Sequence, residues 1–97
     1  MSISTEQKYT APRIADLQVT DEFLIVRFQD GRIVNNPLEW YPRLLRGTAK
    51  QRADWEISGN GYAAHWAELD EDLGAKGLAE GIPSLEYRRT HMPAEHV

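Results

Sequence analysis

Residues 54–81 read DWEISGNGYAAHWAELDEDLGAKGLAEG, and the fold depends on how this stretch turns back on itself. Trp55, Ile57, Tyr62, Ala64 and Trp66 alternate with Glu56, Ser58, Ala63 and His65, the period-two pattern of strands with one buried face. Asn60-Gly61 lies between the two arms, and both residues tolerate the positive φ of a type I′ hairpin turn. A two-residue turn sets Gly59 against Tyr62, Ile57 against Ala64 and Trp55 against Trp66, so both indoles share the inner face. A three-residue loop would pair Trp55 with His65 and part the indoles, so the hydrophobic pattern selects the tighter turn. Glu56 then stands opposite His65 on the outer face.

Downstream, the run from Glu68 to Asp72 reads as an acidic turn opening a helix, because carboxylates favourably meet the positive end of the helix dipole. Asp70 or Asp72 is the expected cap. Gly74 and Gly77 each cost about 1 kcal/mol relative to alanine inside a helix. The helix is therefore confined to about residues 75–80, anchored by Leu69, Leu73, Leu78 and Ile82 and ended by Gly81-Ile82-Pro83.

Upstream, residues 13–20 (RIADLQVT) predict a strand with Ala15, Leu17 and Val19 inward. The continuous Phe23-Leu24-Ile25-Val26 run predicts a central strand covered on both faces. Asp30-Gly31 turns the chain back as RIVNN, closing a three-stranded meander. Asn36 resembles a helix N-cap, with Pro37 at the first position and Glu39 completing a capping box. Pro42 interrupts, so one turn ends near Tyr41 or the helix begins at Pro42 and runs to Arg46, with Gly47 as its terminator. Thr48 and Gln51 have the spacing of a further capping box. Trp40, Leu44 and Leu45 are the expected stripe against the sheet.

The fold class that results is α+β: one small antiparallel sheet, made of the meander plus the hairpin, with two or three short helices. Residues 1–12 are expected as a flexible arm, 13–83 as the single domain and 84–97 as a loose tail. The chain has 97 residues with 41% hydrophobic content, three tryptophans and no cysteine. One modest core follows, and disulfides and thiolate metal sites are excluded. The polar N-terminus shows no signal peptide, and no apolar run reaches the ~20 residues of a bilayer span, so a cytoplasmic protein is expected.

Net charge is −4, which argues against a dedicated nucleic-acid binder. Its distribution is uneven. Residues 40–53 carry Arg43, Arg46, Lys50 and Arg52 and no acid, whereas residues 54–80 carry Asp54, Glu56, Glu68, Asp70, Glu71, Asp72 and Glu80 against Lys76 alone. Arg43, Arg46, Lys50 and Arg52, beside Trp40 and Tyr41, are the candidate contacts to a partner; a phosphate backbone is the competing one. His65, Glu68, Asp70, Glu71 and Asp72 form a second candidate binding cluster. No HExxH or DxDxDG spacing supports a metal, so neither metal nor cofactor is expected. His65 with Glu56 or Ser58 would be the centre of any small enzyme, but no elbow such as GxSxG accompanies it, and no catalytic residue is assigned.

Phe28-Gln29-Asp30-Gly31-Arg32, Pro42-Arg43-Leu44-Leu45 with Thr48-Ala49 and Arg52, Trp55-Glu56-Ile57, His65-Trp66, Leu69-Asp70-Glu71-Asp72-Leu73, Gly77-Leu78 and Gly81 carry a resemblance. Over residues 13–81 the chain resembles the small bacterial and phage family catalogued as domain of unknown function 2442. Ala67 stands where many relatives have proline and Gly74 where many have a small hydroxyl residue. The resemblance implies a small α+β fold without assigned catalytic residues. Some members precede a helix-turn-helix DNA-binding domain, which is not expected here because the chain ends soon after Gly81; others stand alone beside a second small gene, in a layout similar to toxin–antitoxin pairs. The expectation is a non-enzymatic protein-binding module that pairs with a small cognate protein, as an antitoxin or adaptor does. A nucleic-acid or regulatory binder using residues 43–52 is the alternative, and self-association through an edge strand remains open.

Overall fold

The computed structural model describes residues 12–91; residues 1–11 of the expected N-terminal arm and residues 92–97, with His96, lie outside them, while Pro12, expected in that arm, is buried. Three strands, β1 (Ile14–Val19), β2 (Phe23–Phe28) and β3 (Ile33–Pro37), form an antiparallel sheet in the order β1-β2-β3. The Thr20 hydroxyl holds the first turn by accepting the N–H groups of Glu22 and Phe23 at 3.1 and 2.9 Å. At the second, Gly31 takes a φ of +96° and donates its N–H to the Phe28 carbonyl at 2.9 Å. Asp30 accepts from the Arg32 backbone at 3.0 Å, and these bonds with Arg32 hold its carboxyl below the usual range.

Two expectations about this sheet are corrected. β2 is central but covered on one face: Leu24, Val26 and Phe28 are buried, whereas Phe23 is exposed and Ile25 half-buried. A bulge between Ile14 and Asp16 resets β1, so that Ile14 and Leu17 both point inward and the strict alternation through Ala15 is lost.

Asn36 is no cap. It lies in β3, buried, and donates its amide to the Leu78 carbonyl at 3.0 Å and to the Tyr41 hydroxyl at 3.1 Å. A 3-10 turn, Leu38–Trp40, precedes α1 (Pro42–Leu45), so each proline heads its own short turn. Leu38, Tyr41 and Leu44 are buried, but Leu45 is 44% exposed and leaves the expected stripe. Gly47 does not take the left-handed conformation of a terminator; a Cβ there would lie 2.8 Å from Leu69 Cδ1, so close packing selects glycine. α2 (Ala49–Ala53) starts on the expected capping box: Gln51 N–H donates to Thr48 Oγ1 at 3.1 Å and Thr48 N–H to Gln51 Oε1 at 2.9 Å.

The hairpin of β4 (Trp55–Ser58) and β5 (Ala63–Trp66) keeps the expected register, Trp55 opposite Trp66 and Glu56 opposite His65. Asn60 and Gly61 take φ of 59° and 94°, and Tyr62 N–H closes the turn on the Gly59 carbonyl at 3.1 Å. The acidic run, however, opens no helix. Glu71–Gly74 form β6, which pairs with β5 in a second three-stranded sheet, so there are two small sheets rather than one. α3 (Ala75–Glu80) follows directly with Gly74 as its uncapped start and left-handed Gly81, φ 72°, as its end.

The segment beyond Pro83, expected to be a tail, contains α4 (Leu85–His91). Ser84 starts it, accepting the Tyr87 N–H at 3.2 Å, and ties it down by donating its hydroxyl to the Trp40 carbonyl at 2.7 Å. A single core joins both sheets: Ile14, Leu24, Phe28, Tyr41, Trp66 and Leu78 are among its buried members, with Trp55 half-buried against them. The architecture is α+β.

Candidate functional site

The pleat of β6 divides the acidic run. Glu71 pairs with Trp66 and shares its inward register with Leu73, while Asp72 points outward beside His65. Burial pushes the Glu71 carboxyl above its usual range, against the Asp72 N–H that it accepts at 3.1 Å and the nearby Arg43 guanidinium. Asp70, in the preceding turn at φ 53°, meets Arg43 through both its carbonyl and its carboxylate, the latter at 3.3 Å. Arg43 also reaches Glu86 at 3.4 Å, and Arg46 reaches the other oxygen of that carboxylate at 3.3 Å. α1 thereby clamps the first turn of α4.

These groups surround a cleft of about 250 Å³ between β6 and α4, lined by Arg43, Glu71, Asp72, Ser84, Glu86 and Arg89 among others. Beside it runs a second groove of about 160 Å³ over Tyr41, Leu73 and Leu78, with Ile82, Leu85 and Arg88 at its sides. Ile82 and Leu85 are 40% and 53% exposed, so Ile82 is not the buried anchor that was expected.

Of the expected site residues, Arg43, Glu71 and Asp72 line the cleft, and Arg46 and Asp70 adjoin it through their ion pairs. His65 stands on the outer face of the second sheet, its Nδ1 2.7 Å from Asp72 Oδ1. Trp40 is half-buried and offers the site its carbonyl, which takes Ser84. Arg52 does something else. With 12% of its side chain exposed, it donates to the carbonyls of Leu44 and Leu45 at 2.9 and 2.8 Å and pairs with Asp21 at 3.0 Å, completing the C-terminal end of α1. Glu68 accepts from Gln51 at 3.3 Å, and Lys50 is exposed on α2. Arg43 thus meets Asp70 of the acidic segment, while Arg46 and Arg52 pair with Glu86 and Asp21 outside it, so three of the four basic side chains are engaged within the chain. Among the described residues no group of three His, Asp or Glu side chains is placed to hold a metal ion.

Sequence reasoning missed Ser84, Leu85, Glu86, Arg88 and Arg89. The signal was present: a serine N-cap, Glu86 in the first turn, and Arg88, Arg89 and His91 in the last, each favourable to the helix dipole.

The signature of the family described as "Protein of unknown function (DUF2442)" matches residues 14–84. The chain belongs to this family. The DUF2442 match runs from the first residue of β1 to the serine that starts α4, so Leu85, Arg88 and Arg89 lie beyond it. A crystal structure of a protein of unknown function from Rhodospirillum rubrum is similar at 29% identity and a TM-score of 0.68, covering 88% of this chain and all of that one (100%). A solution structure of an uncharacterised protein from Chromobacterium violaceum has the same TM-score, 0.68, at 20% identity over 94% of this chain and 84% of its own, a likeness of fold alone. No curated protein matches the DUF2442 chain. Among the described residues no helix is long and apolar enough to cross a membrane.

Proposed function

We propose that this protein is a non-enzymatic, cytoplasmic protein-binding module that pairs with a small cognate protein in an antitoxin- or adaptor-like role, and that the partner docks along α4. The supporting observation is the joint exposure of Ile82 and Leu85, 40% and 53%, on either side of an apolar groove. Large apolar side chains exposed together around a groove mark a place where burial by another surface stabilises. Engagement of Arg43, Arg46 and Arg52 with carboxylates weighs against a phosphate-backbone role for the basic segment.

The test is co-expression with the product of the gene beside its own, followed by size-exclusion chromatography. The wild type is expected to co-elute with that protein and Leu85→Asp to elute alone, with unchanged circular dichroism. A wild type that elutes alone, or a Leu85→Asp variant that still co-elutes, overturns the proposal.

A further inference from the structure

We infer that the segment of the partner seated along α4 is acidic: it lays a large apolar side chain over Leu73 and Leu85 and sets carboxylates against Arg88 and Arg89. This rests on α4 being the docking surface and adds the partner's chemistry.

The argument is one of charge. Arg27, Arg32, Arg43, Arg46, Arg52 and Lys76 each have a carboxylate within 4.0 Å among the described residues, as a chain of net charge −4 readily provides. Arg13 stacks on the Tyr62 ring at 5.1 Å, and Lys50, exposed on α2 and likewise without a carboxylate partner among the described residues, borders neither hollow along α4. Arg88 and Arg89 differ. Among the described residues Arg88 donates only to the Pro83 carbonyl, at 3.1 Å, and Arg89 has no polar partner; both are exposed. Arg88 borders the apolar groove and Arg89 the adjoining cleft, and the two hollows share Asp72, Leu73, Ser84 and Leu85. Of the three carboxylates in the cleft, Glu86 is held by Arg43 and Arg46, Asp72 by His65, and Glu71 accepts the Asp72 N–H. Two consecutive arginines of α4, one bordering each hollow beside exposed apolar side chains, match an amphipathic acidic segment, in which each arginine can take a carboxylate bidentately. A nucleic-acid backbone fits less well. It calls for a longer track of cations, and here Glu71, Asp72 and Glu86 share the cleft.

The test uses the full chain and three fluorescein-labelled probes in an anisotropy titration at low and high salt. One is a synthetic peptide with leucines at helical spacing and glutamates between them; the second has every glutamate replaced by lysine; the third is a single-stranded oligonucleotide. The acidic peptide is expected to bind at least about tenfold more tightly than the lysine peptide, with an affinity that falls as salt rises. Arg89→Glu, which removes no internal bond among the described residues, is expected to reverse that preference, and Arg88→Glu to do the same. Equal binding of the two peptides, no response to either variant, no binding of the acidic peptide, or tighter binding of the oligonucleotide overturns the inference. Leu85→Asp separates the two claims: if it leaves peptide binding unchanged, the docking surface itself is misplaced, whereas loss of binding in Leu85→Asp together with equal binding of the two peptides by the wild type sinks only the charge argument.

Discussion

At the scale of single residues, three side chains make measurable claims. Tyr41 is buried under α1 with its hydroxyl against Asn36, and burial pushes its pKa from 10.0 up to about 12. The unfolded phenol ionises first, so between those two values the folded state binds more protons and stability falls as pH rises. At about 1.4 kcal/mol per pKa unit, the loss is at most about 2.7 kcal/mol. Urea denaturation across that range should show a steeper loss of stability in the wild type than in Tyr41→Phe. Glu71 is an acid with a raised value, so its cost is present in full at neutral pH and disappears as pH falls below the ordinary 4.5. Glu71→Gln should therefore be more stable than the wild type at neutral pH, by less than about 1 kcal/mol because solvent screens a half-exposed group, and no more stable in acid. Arg52→Ala should cost about 1 to 2 kcal/mol in the same assay, since it removes the donors to the Leu44 and Leu45 carbonyls, of which Leu44 keeps the Gly47 N–H at 3.0 Å, while leaving partner binding intact. The indole pair was legible because alternation and turn chemistry agreed. The role of Arg52 was not, because its partners are backbone carbonyls that exist only once α1 ends where it does.

At the scale of elements, local signals that satisfied their own backbone were readable, as at α2 with its Thr48 box and α3 with its Gly81 end. Thr48→Ala is expected to destabilise by about 0.5 to 2 kcal/mol, measured by thermal unfolding. β6 escaped because aspartate is poor in strands and three consecutive acids resemble a helix start. Pairing with β5 overrides that propensity: it buries Leu73 and gives Asp72 a histidine, and in return places Glu71 on the inner face. α4 was lost for the opposite reason. Its helix signals are ordinary, but its hold on the molecule runs through Trp40, Arg43 and Arg46, residues about forty positions away, such as the Ser84–Trp40 and Arg46–Glu86 contacts.

At the scale of the whole molecule, the two sheets meet where the Asn60-Gly61 turn abuts β1. A Cβ on Gly61 would lie 2.9 Å from that of Arg13 and 3.2 Å from the Ile14 carbonyl, at a φ of +94°. Gly61→Ala is therefore expected to cost more than about 1 kcal/mol and to broaden the unfolding transition, because it strains the turn and the contact between sheets together. Among the described residues Arg43, Arg46 and Arg52 are paired with carboxylates, while Arg88 and Arg89 of α4 are not and lie beside exposed Ile82 and Leu85. The most direct check is a map of backbone amide shifts of the isotope-labelled chain as the neighbouring gene's product is added. Perturbations centred on Gly74, Gly77, Ile82, Leu85, Arg88 and Arg89 are predicted; perturbations centred on Phe23, Ile25 and Ile33 across the first sheet, or none at all, would contradict the account.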